Sequence, residues 1–356
     1  MFGLDEDGSI YPTHHQGVQV KVAHIIRRDA GFIAMMLIVG FVAGAIYSSL
    51  SVWRGGIAGF SIAFICATID LIVFPHFFRF TRLSFQALLF FKTITYTAVA
   101  IFVVFLSYLA TGSATSLVTD PMHLLRAILL TLVISFLANL FLTIRRVLGK
   151  HVFGWLLCGR YRRPVEEIRM FMFVDLTSST TLAEQIGHVK YHQLIHKFWC
   201  DIADVIINSQ GDIYKYVGDE VIITWPLVEA KLDNCWLECF FGIKDSIRQR
   251  ADQYMKEFGS VPQFRASLHC GMVVAGEMGD WKSEVGFIGD TINTTARILD
   301  ACETNKRNFI VSDAVRQRTA DIERYTFEVI PEASLRGRQG KVTLYSVDKK
   351  IDIIHN

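Results

Sequence analysis

The chain has 356 residues, 51% of them hydrophobic, with 36 Lys and Arg against 34 Asp and Glu. A formal net charge of +2 gives no argument for nucleic acid as a partner. The charges are unevenly spread, residues 31–150 holding 10 of the 70, and that split excludes both a wholly water-soluble enzyme and an intrinsically disordered chain.

Residues 1–30 are polar, with His14, His15, Lys21, Arg27 and Arg28. They lack the short apolar core and small-residue cleavage site of a secretory signal. Four apolar stretches follow, at about 31–53, 55–78, 85–110 and 123–144. The first carries no charge; the others carry Asp70, Lys92 and Arg126 in turn. Each is long enough for a lipid bilayer, whose core of about 30 Å needs roughly 20 helical residues. The expected first part is therefore a four-helix membrane domain over 31–149. Lys21, Arg27 and Arg28 precede the first stretch, Arg79 and Arg82 lie between the second and third, and Arg145, Arg146 and Lys150 follow the fourth. The alternate connections hold only Arg54. This places the chain in the plasma (inner) membrane, multi-pass, with both termini cytoplasmic. Asp70 and Lys92 each lie 11 residues from Thr81, at similar depth in an antiparallel hairpin. They are expected to pair, because an unpaired charge there is costly; a snorkelling Lys92 with a protonated Asp70 is the alternative. Pro75 and His76 read as a kink. No inverted repeat or pair of broken helices argues for a transporter, so anchoring or sensing is the expected role.

Residues 150–166 form a juxtamembrane linker. Trp155, Leu156 and Leu157 beside Arg160, Arg162 and Arg163 read either as a coupling segment lying on acidic headgroups or as an ordinary connector. The seven cysteines are scattered without a CxxC pair and read as reduced core thiols.

From 167 to 350 the pattern changes to that of a globular domain. A strand over 168–175 is followed by a helix over 179–208. Strand, turn and strand occupy 211–225, with Gly218-Asp219-Glu220 at the turn. A helix over 231–258, strands at 263–274 and 284–288 and a helix from Thr291 complete it. The order β-α-β-β-α-β predicts an α+β, ferredoxin-like antiparallel core. Asp175 closes the first strand, and Asp219 sits in the hairpin turn. If those strands are neighbours, two hard oxygen donors converge, which suits Mg²⁺ completed by carbonyls and substrate phosphates. Two such ions would activate a hydroxyl and neutralise a triphosphate. The Ser/Thr-rich helix start ending at Thr180 offers N–H groups to phosphate. Taken singly, either Asp reads as a turn or cap residue. His188, His192 and His196 share one helix face and read as a solvated or dimer-facing stripe before a metal patch.

Four segments in order, FVDLTSST (173–180), KYVGDE (215–220), FRASLHCG (264–271) and GDTINTTAR (289–297), resemble the catalytic domain of class III nucleotidyl cyclases over roughly 165–348. The resemblance implies that Asp175 and Asp219 hold two Mg²⁺ or Mn²⁺ ions per site. It implies that the ribose 3′-OH attacks the α-phosphorus and expels pyrophosphate. Lys215 matches the residue that reads the adenine edge; guanylyl cyclases of the family typically have Glu there. Lys donates and cannot accept, which suits adenine N1. Asn293 matches the ribose-orienting residue, and Arg297, one turn later, the arginine that stabilises charge in the transition state. Arg265 matches a triphosphate-binding arginine, with an exposed strand charge as the alternative. The segment 335–341 resembles the family's basic C-terminal loop, which implies a phosphate contact from Arg338, with Arg336 and Lys341 as alternatives. One position departs from the family: seven residues before Asn293, where Asp or Thr is usual, stands Gly286. A backbone carbonyl, water, Ser283 or Glu284 is left to substitute. Metal and base residues come from different subunits in this family, which implies a symmetric homodimer with two composite sites. The expected protein is thus a membrane-anchored adenylyl cyclase, a phosphorus–oxygen lyase that turns ATP into cyclic AMP. The alternatives are the same chemistry on GTP, a membrane receptor with an inactive nucleotide-binding domain, and a four-span ligand-binding protein with a dimerisation module.

Overall fold

A computed structural model of the chain describes residues 3–4, 10–11, 33–45, 52–70, 85–110, 121–148, 159–227, 234–281, 283–320, 322–330 and 342–350. The chain divides into two compact units, Met1–Lys150 and His151–Asn356. The turn with Arg79 and Arg82, the Pro75–His76 kink, the Trp155–Leu157 segment and the basic loop with Arg336, Arg338 and Lys341 lie outside the described residues.

In the first unit, strands β1 (Gly3–Leu4) and β2 (Ile10–Tyr11) pair antiparallel. Four apolar helices follow: α1 (Ile33–Ala45), α2 (Val52–Thr68), α3 (Phe85–Ala110) and α4 (Pro121–Leu148). The third coincides with its expected stretch. The second begins three residues earlier than expected, and the fourth extends past both expected ends. Among the described residues one segment, Gln86–Leu106 of α3, is long and apolar enough to cross a membrane; α1, α2 and Thr131–Ile144 are shorter apolar helices. Phe90, Phe91, Phe102 and Phe105 on α3 and Leu132, Val133 and Leu137 on α4 are exposed. Helices α1 and α2 approach backbone to backbone. A Cβ at Gly44 would strike the Gly55 carbonyl, and one at Gly59 would strike the Gly40 carbonyl, so the close approach needs small residues. The expected ion pair is formed: the Lys92 ammonium meets Asp70 Oδ1, to which the Tyr96 hydroxyl also donates at 3.0 Å.

The second unit contains strands β3 (Val165–Leu176), β4 (Asp212–Val217), β5 (Glu220–Pro226), β6 (Phe264–Met278), β7 (Glu284–Ile288), β8 (Phe309–Ser312), β9 (Tyr325–Ile330) and β10 (Leu344–Lys349). Its helices are α5 (Ser179–Ile186), α6 (His188–Asn208), α7 (Cys235–Arg248), α8 (Ala251–Phe258), α9 (Asp290–Thr304) and the single turn α10 (Asp313–Arg316). The sheet order is β4-β5-β3-β6-β8-β10-β9, with β7 hairpinned onto β6. Its first four members, antiparallel throughout, reproduce the expected ferredoxin-like core. The parallel β6–β8 pairing and the β9–β10 ribbon extend it.

Two expected helices are broken. Gly187, at φ +84°, separates α5 from α6; that region favours glycine. The second break lies between Arg248 and Ala251, where no Gly or Pro marks it. The expected linker also ends early, since Tyr161 is buried in the sheet unit and β3 already begins at Val165.

Strand β3 is buried on both faces, hence its unbroken apolar run. Met170, Met172, Val174 and Leu176 pack with Leu194, Phe198 and Ile202 of α6 and Leu237 and Phe240 of α7. Phe171 and Phe173 point the other way, joining Ile222, Val273, Phe287 and Leu299 of α9 in a second core.

Candidate active site

Side chains alternate along a strand, so Asp175 lies on the Phe173 side of the sheet, at the margin of the second core. Its cross-strand partners are Glu220 on β5 and Arg265 on β6. The three form a row across adjacent strands. Arg265 donates from Nε and Nη2 to Asp175 Oδ2 at 3.1 and 2.9 Å, and from Nη1 to Glu303 Oε2 of α9 at 2.6 Å. The two-residue loop Gly218-Asp219 joins β4 to β5. Gly218, at φ +64°, makes the tight turn that carries Asp219 beside the row. Tyr191 of α6 donates to Asp219 Oδ2 at 3.3 Å.

The electrostatics mark this as a crowded anionic corner. Burial raises the Asp175 carboxyl, Arg265 opposes that by hydrogen bonding, and the Asp219 charge adds to the rise. Glu220 is pushed up to about 7 by burial first, then by Asp175, Asp219 and Asp300. Burial and Asp219 push the Tyr191 phenol up to about 12. A divalent cation relieves each of these, and carboxylate oxygen is the donor it prefers. Among the described residues no group of three His, Cys, Asp or Glu side chains makes a complete cage. Two carboxylates suit an ion that takes its remaining ligands from water, carbonyls and substrate phosphates, as Mg²⁺ does. His188, His192 and His196 are exposed along α6 and belong to no such cage.

A bulge positions Lys215. Ile213 pairs with Ile223 and Lys215 with Ile222, leaving Tyr214 as the extra residue. The shift puts both Tyr214 and Lys215 on the second-core face, where Tyr214 packs at 4.9 Å on Phe287. Lys215 Nζ donates to Glu284 Oε1 of β7 at 2.9 Å.

The remaining expected residues stand apart from the carboxylates. Thr180 is exposed in the first turn of α5, whose N-cap Ser178 makes no side-chain cap bond. Asn293 is exposed and Arg297 half-buried on α9. Among the described residues, no hydrogen bond or ion pair joins Thr180, Asn293, Arg297 or Lys215 to Asp175 or Asp219. Arg265, expected as a phosphate ligand or an exposed strand charge, has its guanidinium engaged by Asp175 and Glu303. Tyr191, Glu220 and Glu303 join the corner without being among the expected site residues. Only Glu220, next to Asp219 in KYVGDE, carried a local signal.

The adenylate and guanylate cyclase catalytic-domain family matches residues 161–349. Adenylate cyclase 2 of Rhizobium meliloti (strain 1021) is 38% identical over 206 residues, 58% of this chain and 57% of that protein. Retinal guanylyl cyclase 2 of Rattus norvegicus is 26% identical over 181 residues, 50% of this chain and 16% of that one. The chain thus spans little more than half the length of the first relative and far less of the second. A bacterial light-regulated adenylyl cyclase has the same fold, with a TM-score of 0.51 at 18% identity over 61% of this chain and 65% of that structure.

Proposed function

The chain belongs to the family of adenylate and guanylate cyclase catalytic domains, and on that footing we propose that it is a membrane-anchored adenylyl cyclase, forming 3′,5′-cyclic AMP and pyrophosphate from ATP. The observation that carries this reading is the convergence of Asp175 and Asp219, with Arg265 at the same corner. The identity to an adenylate cyclase over 206 residues supports the choice of ATP.

Asp175 and Asp219 would hold Mg²⁺ or Mn²⁺, two per site, which when bound lower the proton affinity of the ribose 3′-OH and shield the triphosphate. Lys215 donates to adenine N1. Asn293 orients the ribose, and Arg297, on the same helix face, holds the negative charge that develops on the α-phosphate. Thr180 and the first-turn N–H groups of α5 receive phosphate oxygens, with Arg338 as a further contact. Arg265 steadies Asp175 and reaches phosphate only on leaving Glu303.

Among the described residues, Asn293 and Arg297 make no hydrogen bond or ion pair with the carboxylate corner of their own chain. That separation supports a homodimer in which each site takes its carboxylates from one copy and Lys215, Asn293 and Arg297 from the other. The apolar outer faces of α3 and α4 support four spans over 31–149 in the plasma membrane, with both termini and the catalytic part, about 167–350, on the cytoplasmic side. The same chemistry on GTP is the second reading, favoured by Gly286. The test is turnover by the purified full-length protein with Mn²⁺, ATP and GTP compared side by side and Asp175→Ala as control. Cyclic AMP that vanishes in the control is expected. Preferential cyclic GMP establishes the second reading, and no product from a folded dimer overturns both.

A further inference from the structure

Gly286 leaves the second base-reading position without a side chain, and the surrounding residues determine what replaces it. In the β6–β7 hairpin Gly276 pairs with Gly286 and Met278 with Glu284. The Met278 side chain lies across Gly286: a Cβ there would overlap the Met278 methyl and sit 2.9 Å from its sulfur. No side chain at 286 can point into the site until Met278 moves. Two residues earlier, on the same face of the strand by its period of two, stands Glu284. Its carboxylate accepts from Lys215 at 2.9 Å, with both side chains about half exposed. That hydrogen bond holds the Lys215 ammonium above its usual value.

We propose that Glu284, with Lys215, is the purine-reading pair of this chain, and that Met278 over Gly286 supplies an apolar wall beside it. This rests on the cyclase reading above. Adenine offers an acceptor at N1 and a donor at N6, which Lys215 and Glu284 complement in order. Guanine inverts both, bringing its O6 acceptor toward the carboxylate and its N1–H toward the ammonium. A carboxylate two residues from the usual position thus restores discrimination that Gly286 removes.

The test measures kcat and KM for ATP and GTP on the full-length protein, as wild type and Glu284→Gln, alongside the thermal shift that each nucleotide produces. Glu284→Gln is expected to reduce the ATP-over-GTP ratio of kcat/KM by about 10–100-fold, the range of a good base-edge contact, chiefly through KM. Met278→Ala with Gly286→Thr, added to Glu284→Gln, is expected to recover part of the preference by placing a hydroxyl at 286. A wild type that prefers GTP overturns the proposal, as does a folded Glu284→Gln protein with an unchanged ratio. If the wild type forms no cyclic product, the cyclase reading fails separately, and the thermal shifts decide: a preference for ATP lost in Glu284→Gln supports the pair, and one retained, or absent from the wild type, overturns it.

Discussion

Each of the two units buries a cation, and they do so by different means. Lys92 on α3 is 6% exposed and meets Asp70, which lies 22 residues earlier just beyond α2; Tyr96, one turn after Lys92, donates to the same oxygen. Arg169 on β3 is 0% exposed. Its Nη1 meets Glu167 at 2.9 Å, its Nε meets Thr224 Oγ1 at 3.0 Å, and its Nη2 lies 3.8 Å from Asp212. The Phe287 ring lies 4.6 Å from the guanidinium carbon. The helical pair joins residues equidistant along the chain from the expected turn at Thr81, so counting along the chain finds it. The sheet cation draws on β3, β4, β5 and β7, which only the register brings together. A planar, five-donor guanidinium suits such dispersed partners, and a compact ammonium suits the single carboxylate.

The division of labour between the units predicts the largest effect. Asp175→Ala is expected to lower cyclic AMP formation by about 10²–10³-fold, the scale of losing one charge-stabilising group in an active site. Its thermal unfolding in detergent should stay close to wild type; a collapse of the fold instead would make Asp175 structural. Next, Asp70→Asn is expected to destabilise the detergent-solubilised chain by about 3 kcal/mol, because it leaves a buried ammonium without its carboxylate. The double variant Asp70→Asn/Lys92→Met should recover most of that loss, and equal melting of Asp70→Asn and wild type would refute the pair.

The sheet cation should be more forgiving. Thr224→Val removes one of several acceptors and is expected to cost about 1–2 kcal/mol, read by denaturant unfolding. A loss as large as that of Asp70→Asn would erase the contrast between the units. The smallest effect concerns pH. Glu220 sits at about 7 in the folded chain against an ordinary 4.5, so its protonated form favours the fold. That contribution is complete below pH 4.5 and disappears as the pH rises through about 7. In metal-free protein, Glu220→Gln should flatten the fall in melting temperature between pH 5 and 8. A slope as steep as wild type would place the crowding elsewhere.

How much was legible in the chain depended on how far apart the cooperating residues lie. The four apolar stretches are local runs, and helix propensity together with hydropathy describes them without reference to any partner. The Asp70–Lys92 pair needed only the assumption of a hairpin. Asp175 and Asp219 were recognisable because each sits in a short motif at a strand end or turn, where local chemistry dictates the conformation. The breaks at Gly187 and after Arg248 were harder, because a continuing helical pattern conceals them; at the second, no residue type announces the end.

The amino-acid sequence by itself determined the two-part character of this protein, the strand order of its catalytic core and the residue types at the carboxylate corner, since periodicity and turn chemistry act over a few residues. Only the tertiary structure decided that Glu220 and Arg265 flank Asp175, that the bulge at Tyr214 turns Lys215 toward Glu284, and that Met278 covers Gly286. Each of these follows from strand register, and register is set by packing between segments distant in the chain: a shift of one residue would send every one of those side chains to the opposite face.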